Sequence, residues 1–298
     1  MPPLADLVSA ARIVALPLRT KFRGIEEREV LLFEGPNGWA EWSPFTEYPH
    51  EEAAVWLAAA LEFAYGDLPP LHRDRISVNA TLPAVNTDLV ERVLSNFGEF
   101  QTVKIKVAEH GQTIQDDIAR IRAVHTHYPD AKIRLDANGG FEIAQALDLV
   151  HALVESQIDL EYFEQPVASI AEMAELRLQF ARLGVKIAAD ESVRKVSDPL
   201  AVAQANAADI LVLKAAPLGG VSRALAIAAE AELPVVISSA LDSSVGLSMG
   251  AHLAAAIPNL QFDCGLATSA LLAGDVTREP LRAENGFIDV RRVEVRSE

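Results

Sequence analysis

Cysteine is almost missing from this chain. Cys264 is the single one in 298 residues, which excludes an intrachain disulfide and any zinc site built from clustered cysteines. Positive charge is also scarce: 26 Lys and Arg stand against 42 Asp and Glu, a formal net charge of −16. The basic footprint that nucleic-acid binding needs is therefore absent. The first 22 residues carry no basic stretch ahead of their apolar part and no small-residue cleavage site, so no signal peptide is expected and the cytoplasm is the expected location. Long apolar runs are lacking too. The stretch poorest in charge, 233–260, is broken by Pro234, Asp242, His252 and Pro258, so no membrane span is expected.

What is plentiful is apolar residue. Half of the chain is hydrophobic, enough for a sizeable core in one large domain or two smaller ones. The first part reads as an antiparallel unit. Strand patterns cover 12–16 and 28–34, a Pro36-Asn37-Gly38 turn precedes a third at 39–42, and a polar loop spans 19–25. A helix is expected over 50–65, with Glu51 and Glu52 near its positive end. From Ile76 a rhythm sets in. Strand-like runs recur near 77–80, 103–107, 133–136, 160–163, 186–189, 210–213, 234–238 and 260–262. Helical patterns lie between most of them, at 113–127, 143–154, 171–183, 199–205, 221–231 and 245–256. Eight strands with intervening helices predict an α/β protein, a modified (β/α)8 TIM barrel with an N-terminal α+β capping domain. The expected boundaries are 1–73 for the cap and 74–285 for the barrel, with 286–298 returning to the cap.

The unusual charges fall at strand ends, where such a barrel carries its active site. Lys104 and Lys106 alternate with apolar residues, so both point to one side of their strand. Two cations there need something negative to face. Asp136, Glu164 and Asp190 close three successive strands at intervals of 28 and 26 residues, about one β/α unit each. Three carboxylates in phase can converge on one ion, and an all-oxygen set suits Mg²⁺, with Mn²⁺ as the other choice. Lys214 closes the next strand, opposite Lys106 in a ring of eight. A buried lysine near other cations loses its proton more readily and can serve as a base.

These motifs, Lys104-Ile105-Lys106, Leu135-Asp136-Ala137-Asn138, Phe163-Glu164-Gln165-Pro166, Ala189-Asp190-Glu191-Ser192 and Leu213-Lys214, resemble the enolase superfamily in order and spacing, in its muconate lactonizing enzyme-like branch. The resemblance covers nearly the whole chain. The compact length and the stretches Ile237–Gly246 and Asp263–Thr268 look most like the menaquinone-pathway members of that branch, in their actinobacterial form. The resemblance implies Mg²⁺ on Asp136, Glu164 and Asp190, stabilising the enediolate formed when the proton alpha to a carboxylate leaves. Lys106 would be the base, and Lys214 an ammonium on the opposite face. The substrate would be a small carboxylate, 2-succinyl-6-hydroxy-2,4-cyclohexadiene-1-carboxylate, dehydrated in a syn elimination. Lys104 would tune Lys106 or hold a carboxylate, beside Asn138, while Ser238, Ser239, Gly265 and Leu266 would meet the succinyl tail. Arg19, Phe22 and Arg23 lie on a loop that closes the barrel mouth in that family, with Arg23 a further substrate contact. No nucleic acid or membrane partner is expected, and a monomer fits.

Two other readings stand beside this one. A racemase of N-succinylamino acids would use the same two lysines as acid and base. A dipeptide epimerase needs an Asp-x-Asp near the eighth strand, which Asp263-Cys264-Gly265 breaks. A barrel that binds ligand without catalysis would have no reason to keep all five charged positions. Asn79-Ala80-Thr81 matches a glycosylation sequon but reads as part of the first barrel strand, and Cys264 as a small packing residue.

Overall fold

A computed structural model describes residues 3–22, 24–194 and 199–296. The chain opens on a short helix, α1 (Leu4–Ala10), which hydrophobic periodicity did not announce. Strands β1 (Arg12–Phe22), β2 (Ile25–Gly35) and β3 (Gly38–Trp42) form an antiparallel sheet in chain order. Helix α2 (His50–Tyr65) packs on it through Trp56, Ala59, Ala60 and Phe63. Gly35 permits that approach, since a Cβ there would lie 2.5 Å from the carbonyl oxygen of Ala64. The loop expected at 19–25 is instead mostly strand: β1 runs on to Phe22, and Phe22 pairs with Ile25. Its partners explain the length. Leu18 bridges Leu272, Arg19 Nε donates to the Leu272 carbonyl at 3.0 Å, and Ala273 N–H donates to Pro17 at 2.7 Å.

The second part continues with β4 (Arg75–Ser77), β5 (Ala80–Leu82), α3 (Val90–Leu94), β6 (Thr102–Lys106), α4 (Ile114–His127), β7 (Lys132–Asp136) and α5 (Ile143–Glu155). Then come β8 (Leu160–Glu164), α6 (Ile170–Arg182), β9 (Ile187–Ala189), α7 (Glu191–Arg194), α8 (Ala201–Gln204), β10 (Ile210–Leu213), α9 (Ala215–Leu218), α10 (Val221–Ala231), β11 (Val235–Ile237), α11 (Ser244–Ala256) and β12 (Phe287–Asp289). Capping boxes start three of the helices, Thr113 with Asp116 on α4, Glu142 with Gln145 on α5 and Ser169 with Glu172 on α6.

Strands β5 to β11 form a curled parallel sheet of seven in sequence order. The eighth position is held by two residues. Cys264 bridges Val78 on one side and Gly265 bridges Ser238 on the other, both parallel, which closes the ring. The eighth position thus lies at 264–265 rather than 260–262, and the first barrel strand at 80–82 rather than 77–80. Residues 75–77 are taken by antiparallel pairing with β12, so the first barrel strand starts at Ala80. The chain's last strand thus joins the base of the barrel, while Arg292 donates to the Phe63 carbonyl and Arg12 to the Arg296 carbonyl across to the first part. Among the described residues no helix is long and apolar enough to cross a membrane.

The core divides in two, as a barrel requires. The larger cluster lies between strands and helices, and a small one, Tyr162, Ala188, Ile210, Val212 and Val236, fills the barrel interior. These inward positions alternate along their strands. One step further toward the strand ends the same faces carry Asp136, Glu164, Asp190 and Lys214. Beneath them Arg134 is buried, bonded to Glu161 at 2.6 Å and lying over the Tyr162 ring at 4.7 Å.

Candidate active site

Register places the charges side by side. Lys106 pairs with Asp136 between β6 and β7, and Asp136 with Glu164 between β7 and β8. Lys104 Nζ lies 2.8 Å from Glu164 Oε2 and 3.0 Å from Asp136 Oδ2. Lys106 Nζ lies 2.6 Å from Asp136 Oδ2 and 2.5 Å from Asn138 Oδ1. Across the mouth Lys214 Nζ is 2.5 Å from Asp190 Oδ2, and Arg194 Nε holds the other oxygen of Asp190 at 3.0 Å. Asn138 is exposed, but the charged side chains are nearly dry and interact strongly.

A chamber opens between them, lined by Phe22, Thr81, Lys104, Lys106, Asp136, Asn138, Asp190, Lys214, Ser238, Ser239, Ala240, Leu241, Gly265 and Thr268. An outer vestibule, lined by Lys21, Gly24, Pro83, Ala84 and Glu109, shares Phe22, Lys106 and Asn138 with it. The β1–β2 hairpin therefore roofs the site, with the Phe22 ring 5.5 Å from Lys106 Nζ. Of the expected substrate contacts, Lys104, Asn138, Ser238, Ser239 and Gly265 line the chamber. Leu266 does not: its side chain packs against Gly250 on α11. Arg23 lies outside the described residues.

Several residues escaped the sequence reading as participants. Thr81 and Thr268 line the chamber, Thr268 with its hydroxyl 2.6 Å from that of Ser239. Gln165, in the left-handed region at φ 38°, clamps the segment carrying Asp190: its Oε1 accepts from Asp190 N at 3.1 Å and Ser192 N at 3.2 Å. Arg194 stands one helical turn after Asp190, a spacing that could have flagged it. Glu191 joins the two sides, accepting from Asn138 Nδ2 at 3.1 Å and from Arg194 at 2.7 Å.

The electrostatics separate otherwise similar groups. Burial opposes the charge on Lys104, but Asp136 and Glu164 outweigh it and hold the ammonium well above the usual lysine range. For Lys106 burial wins, helped by the neighbouring Lys104 charge, and its proton is held less tightly than an ordinary lysine's. Burial also opposes ionisation of Asp190, yet Arg194 and Lys214 keep that carboxyl far below the usual range. Glu164 is the reverse case. Burial and the Asp136 charge push it up to about 7 despite Lys104.

The three carboxylates do not stand as a finished metal cage: among the described residues no group of three Asp, Glu, His or Cys side chains is arranged to hold an ion. Each is turned instead toward neighbouring cations: Asp136 toward Lys104 and Lys106, Glu164 toward Lys104, and Asp190 toward Lys214 and Arg194. The donor set still fits a hard divalent cation. Glu164 Oε1 is buried with no hydrogen-bond partner, and its carboxyl carries excess negative surroundings from Asp136 and Asp190.

Comparison with known proteins agrees with this geometry. Residues 87–293 match the family described as enolase C-terminal domain-like, and residues 13–64 the enolase N-terminal domain-like family. The o-succinylbenzoate synthase of Mycobacterium tuberculosis is 51% identical over 292 residues, covering 98% of this chain and 87% of that protein. Muconate lactonizing enzyme from Pseudomonas fluorescens, complexed with muconolactone, superposes with a TM-score of 0.80 at 21% identity, over 96% of this chain and 94% of that one. A dipeptide epimerase from Enterococcus faecalis, complexed with Mg and L-Leu-L-Tyr, gives a TM-score of 0.77 at 21% identity, over 96% and 97% of the two chains. Matched over residues 87–293 and 13–64, this chain belongs to the enolase superfamily.

Proposed function

We propose that this chain is an o-succinylbenzoate synthase, a carbon–oxygen lyase that dehydrates 2-succinyl-6-hydroxy-2,4-cyclohexadiene-1-carboxylate to o-succinylbenzoate in menaquinone biosynthesis. The observation that carries this reading is the 51% identity with the mycobacterial synthase over 98% of this chain and 87% of that protein. The site chemistry supports it. Lys106, with its proton loosely held, takes the proton alpha to the ring carboxylate. The ring hydroxyl then leaves from the same face and accepts that proton from Lys106, so one base serves both halves and water is the only by-product. Lys214, paired with Asp190, remains a cation facing the ring and balances the negative charge that develops there. Phe22 roofs Lys106 and limits water at the reacting face.

Asp136, Glu164 and Asp190 are the residues that would hold a divalent cation, Mg²⁺ or Mn²⁺. Bound there, it would supply Lewis-acid stabilisation of charge on the substrate carboxylate. Gln165 and Arg194 fix the position of Asp190 for that purpose. Ser238, Ser239 and Gly265 lie where the succinyl tail would reach. The cytoplasm is the location we assign, where a buried unpaired Cys264 needs no oxidised partner.

Racemisation of N-succinylamino acids is the second reading, favoured by the way Lys106 and Lys214 flank one chamber. Dipeptide epimerisation is disfavoured. The Asp263 carboxylate accepts from Thr102, at the start of β6 and away from the mouth, at 2.6 Å. The deciding test is ultraviolet absorbance of the cyclohexadiene carboxylate with purified protein, first with Mg²⁺ and then with EDTA. Mg²⁺-dependent loss of the diene absorbance is expected. A folded, metal-loaded protein without turnover would move the function to the racemase.

A further inference from the structure

The wall of the chamber formed by Ala240 and Leu241 is held from outside the barrel. Leu241 sits in the left-handed region at φ 65°, a costly conformation for a branched side chain, so something must fix it. Two charged residues of the capping sheet do so. Arg28, on β2, donates from Nε to the Leu241 carbonyl at 3.3 Å and from Nη2 to the Ser43 carbonyl, and its guanidinium covers the Phe45 ring at 4.4 Å. Glu41, on β3, reaches the start of α11. Its carboxylate accepts from Ser243 N at 3.2 Å, from the Ser243 hydroxyl and from Gly246 N at 3.2 Å, while Ser43 Oγ donates to its other oxygen at 2.7 Å. A carboxylate from another domain thus caps this helix beside the cap that Ser243 itself supplies.

The chain is shaped to admit it. A Cβ at Gly246 would stand 3.0 Å from Glu41 Cδ and 2.7 Å from Asp242 Cβ, so the glycine is the notch into which the carboxylate fits. Asp242 completes the turn by accepting from Ala240 N at 3.1 Å. Arg28 and Glu41 are both buried; burial and the nearby Asp242 push the Glu41 carboxyl up to about 7, against the hydrogen bonds from Ser243 and Ser43 and the Arg28 charge that favour its ionised form.

We propose that Glu41 and Arg28 are positioning residues for substrate binding: through Leu241, Ser243 and Gly246 they set the form of the 239–242 wall and hence the grip on the succinyl end of the substrate. The kinetic part of this inference rests on the function proposed above. The structural part does not.

The test uses the full chain with Glu41→Gln and Gly246→Ala, one variant on each side of the contact. Gln keeps the size of the side chain but turns an N–H toward donors, and Ala fills the notch with Glu41 intact. Hydrogen exchange followed by mass spectrometry should rise about tenfold or more over 238–247 and stay unchanged over 103–107. KM for the cyclohexadiene carboxylate should rise about tenfold with kcat within about threefold, the pattern of lost uniform binding. If Glu41→Gln does not fold, Ser43→Ala removes one donor to Glu41 and should show the same pattern more weakly. Folded variants with unchanged exchange over 238–247 overturn the proposal. So does a fall in kcat that merely tracks a lowered Tm with KM unmoved. A wild-type protein without turnover would sink the proposed function, while the exchange measurement would still decide the tether.

Discussion

Lys104 and Lys106 reach the same oxygen, Asp136 Oδ2, at 3.0 and 2.6 Å, yet hold their protons with opposite tendencies. The difference lies in the second partner. Lys104 also meets Glu164 at 2.8 Å, which fixes its charge, whereas Lys106 meets the neutral Asn138 and feels the repulsion of Lys104. Two lysines two positions apart are thereby set apart, Lys104 holding its proton more tightly than an ordinary lysine and Lys106 less tightly.

Removing Lys106, the proposed base, should stop the reaction. Lys106→Ala is expected to lower kcat between about a hundredfold and ten-thousandfold, the usual share of a general base. The diene absorbance assay measures it, and near-normal turnover would remove Lys106 from the role.

Lys214 answers a different question. Lys214→Arg keeps a cation beside Asp190 but makes a base that does not release its proton at neutral pH. Part of the dehydration should survive. Any exchange of the alpha hydrogen of N-succinylamino acids through a second base should vanish, as followed by deuterium incorporation. Intact racemisation in this variant would show that Lys214 is no acid–base group.

The carboxylates are tested by the ion itself. EDTA should abolish turnover and added Mg²⁺ restore it. Glu164→Gln should weaken Mg²⁺ binding in calorimetry by at least about tenfold, a loss that even outer partners of a metal can cause. Unchanged affinity would take Glu164 out of the ion's reach.

Arg134 should matter to stability rather than to chemistry. It lies at the closed end of the barrel, fully buried, with bonds to Glu161, Asn79 Oδ1 and the Asp263 carbonyl. Arg134→Ala is expected to cost about 3–5 kcal/mol, the penalty for breaking a buried ion pair. Urea unfolding reads that loss, while the kcat of the folded fraction should stay near wild type. A fully stable variant would contradict the burial argument.

Much of the architecture was legible because its signals are local. The strand rhythm after Ile76 and the helices between strands come from side-chain alternation and turn chemistry, which neighbouring residues set. The spacing of Asp136, Glu164, Asp190 and Lys214 shows in the same way, since one β/α unit separates each from the next. The misplaced elements are those decided by distant partners. Residues 75–77 pair with the chain's end, and the eighth strand shrinks to Cys264 and Gly265 because each needs only one bridge to close the ring.

The sequence by itself determined which charges sit at strand ends, on which strands, and so which chemistry the molecule can support. Tertiary structure alone decided how those charges are balanced. It turned Asp136 toward two lysines, gave Asp190 to Arg194 as well as Lys214, and sent Glu41 across 202 positions of chain to Ser243. Periodicity records which face of an element is buried. It carries no record of what stands opposite, because that depends on chain closure over distances at which spacing no longer constrains contact.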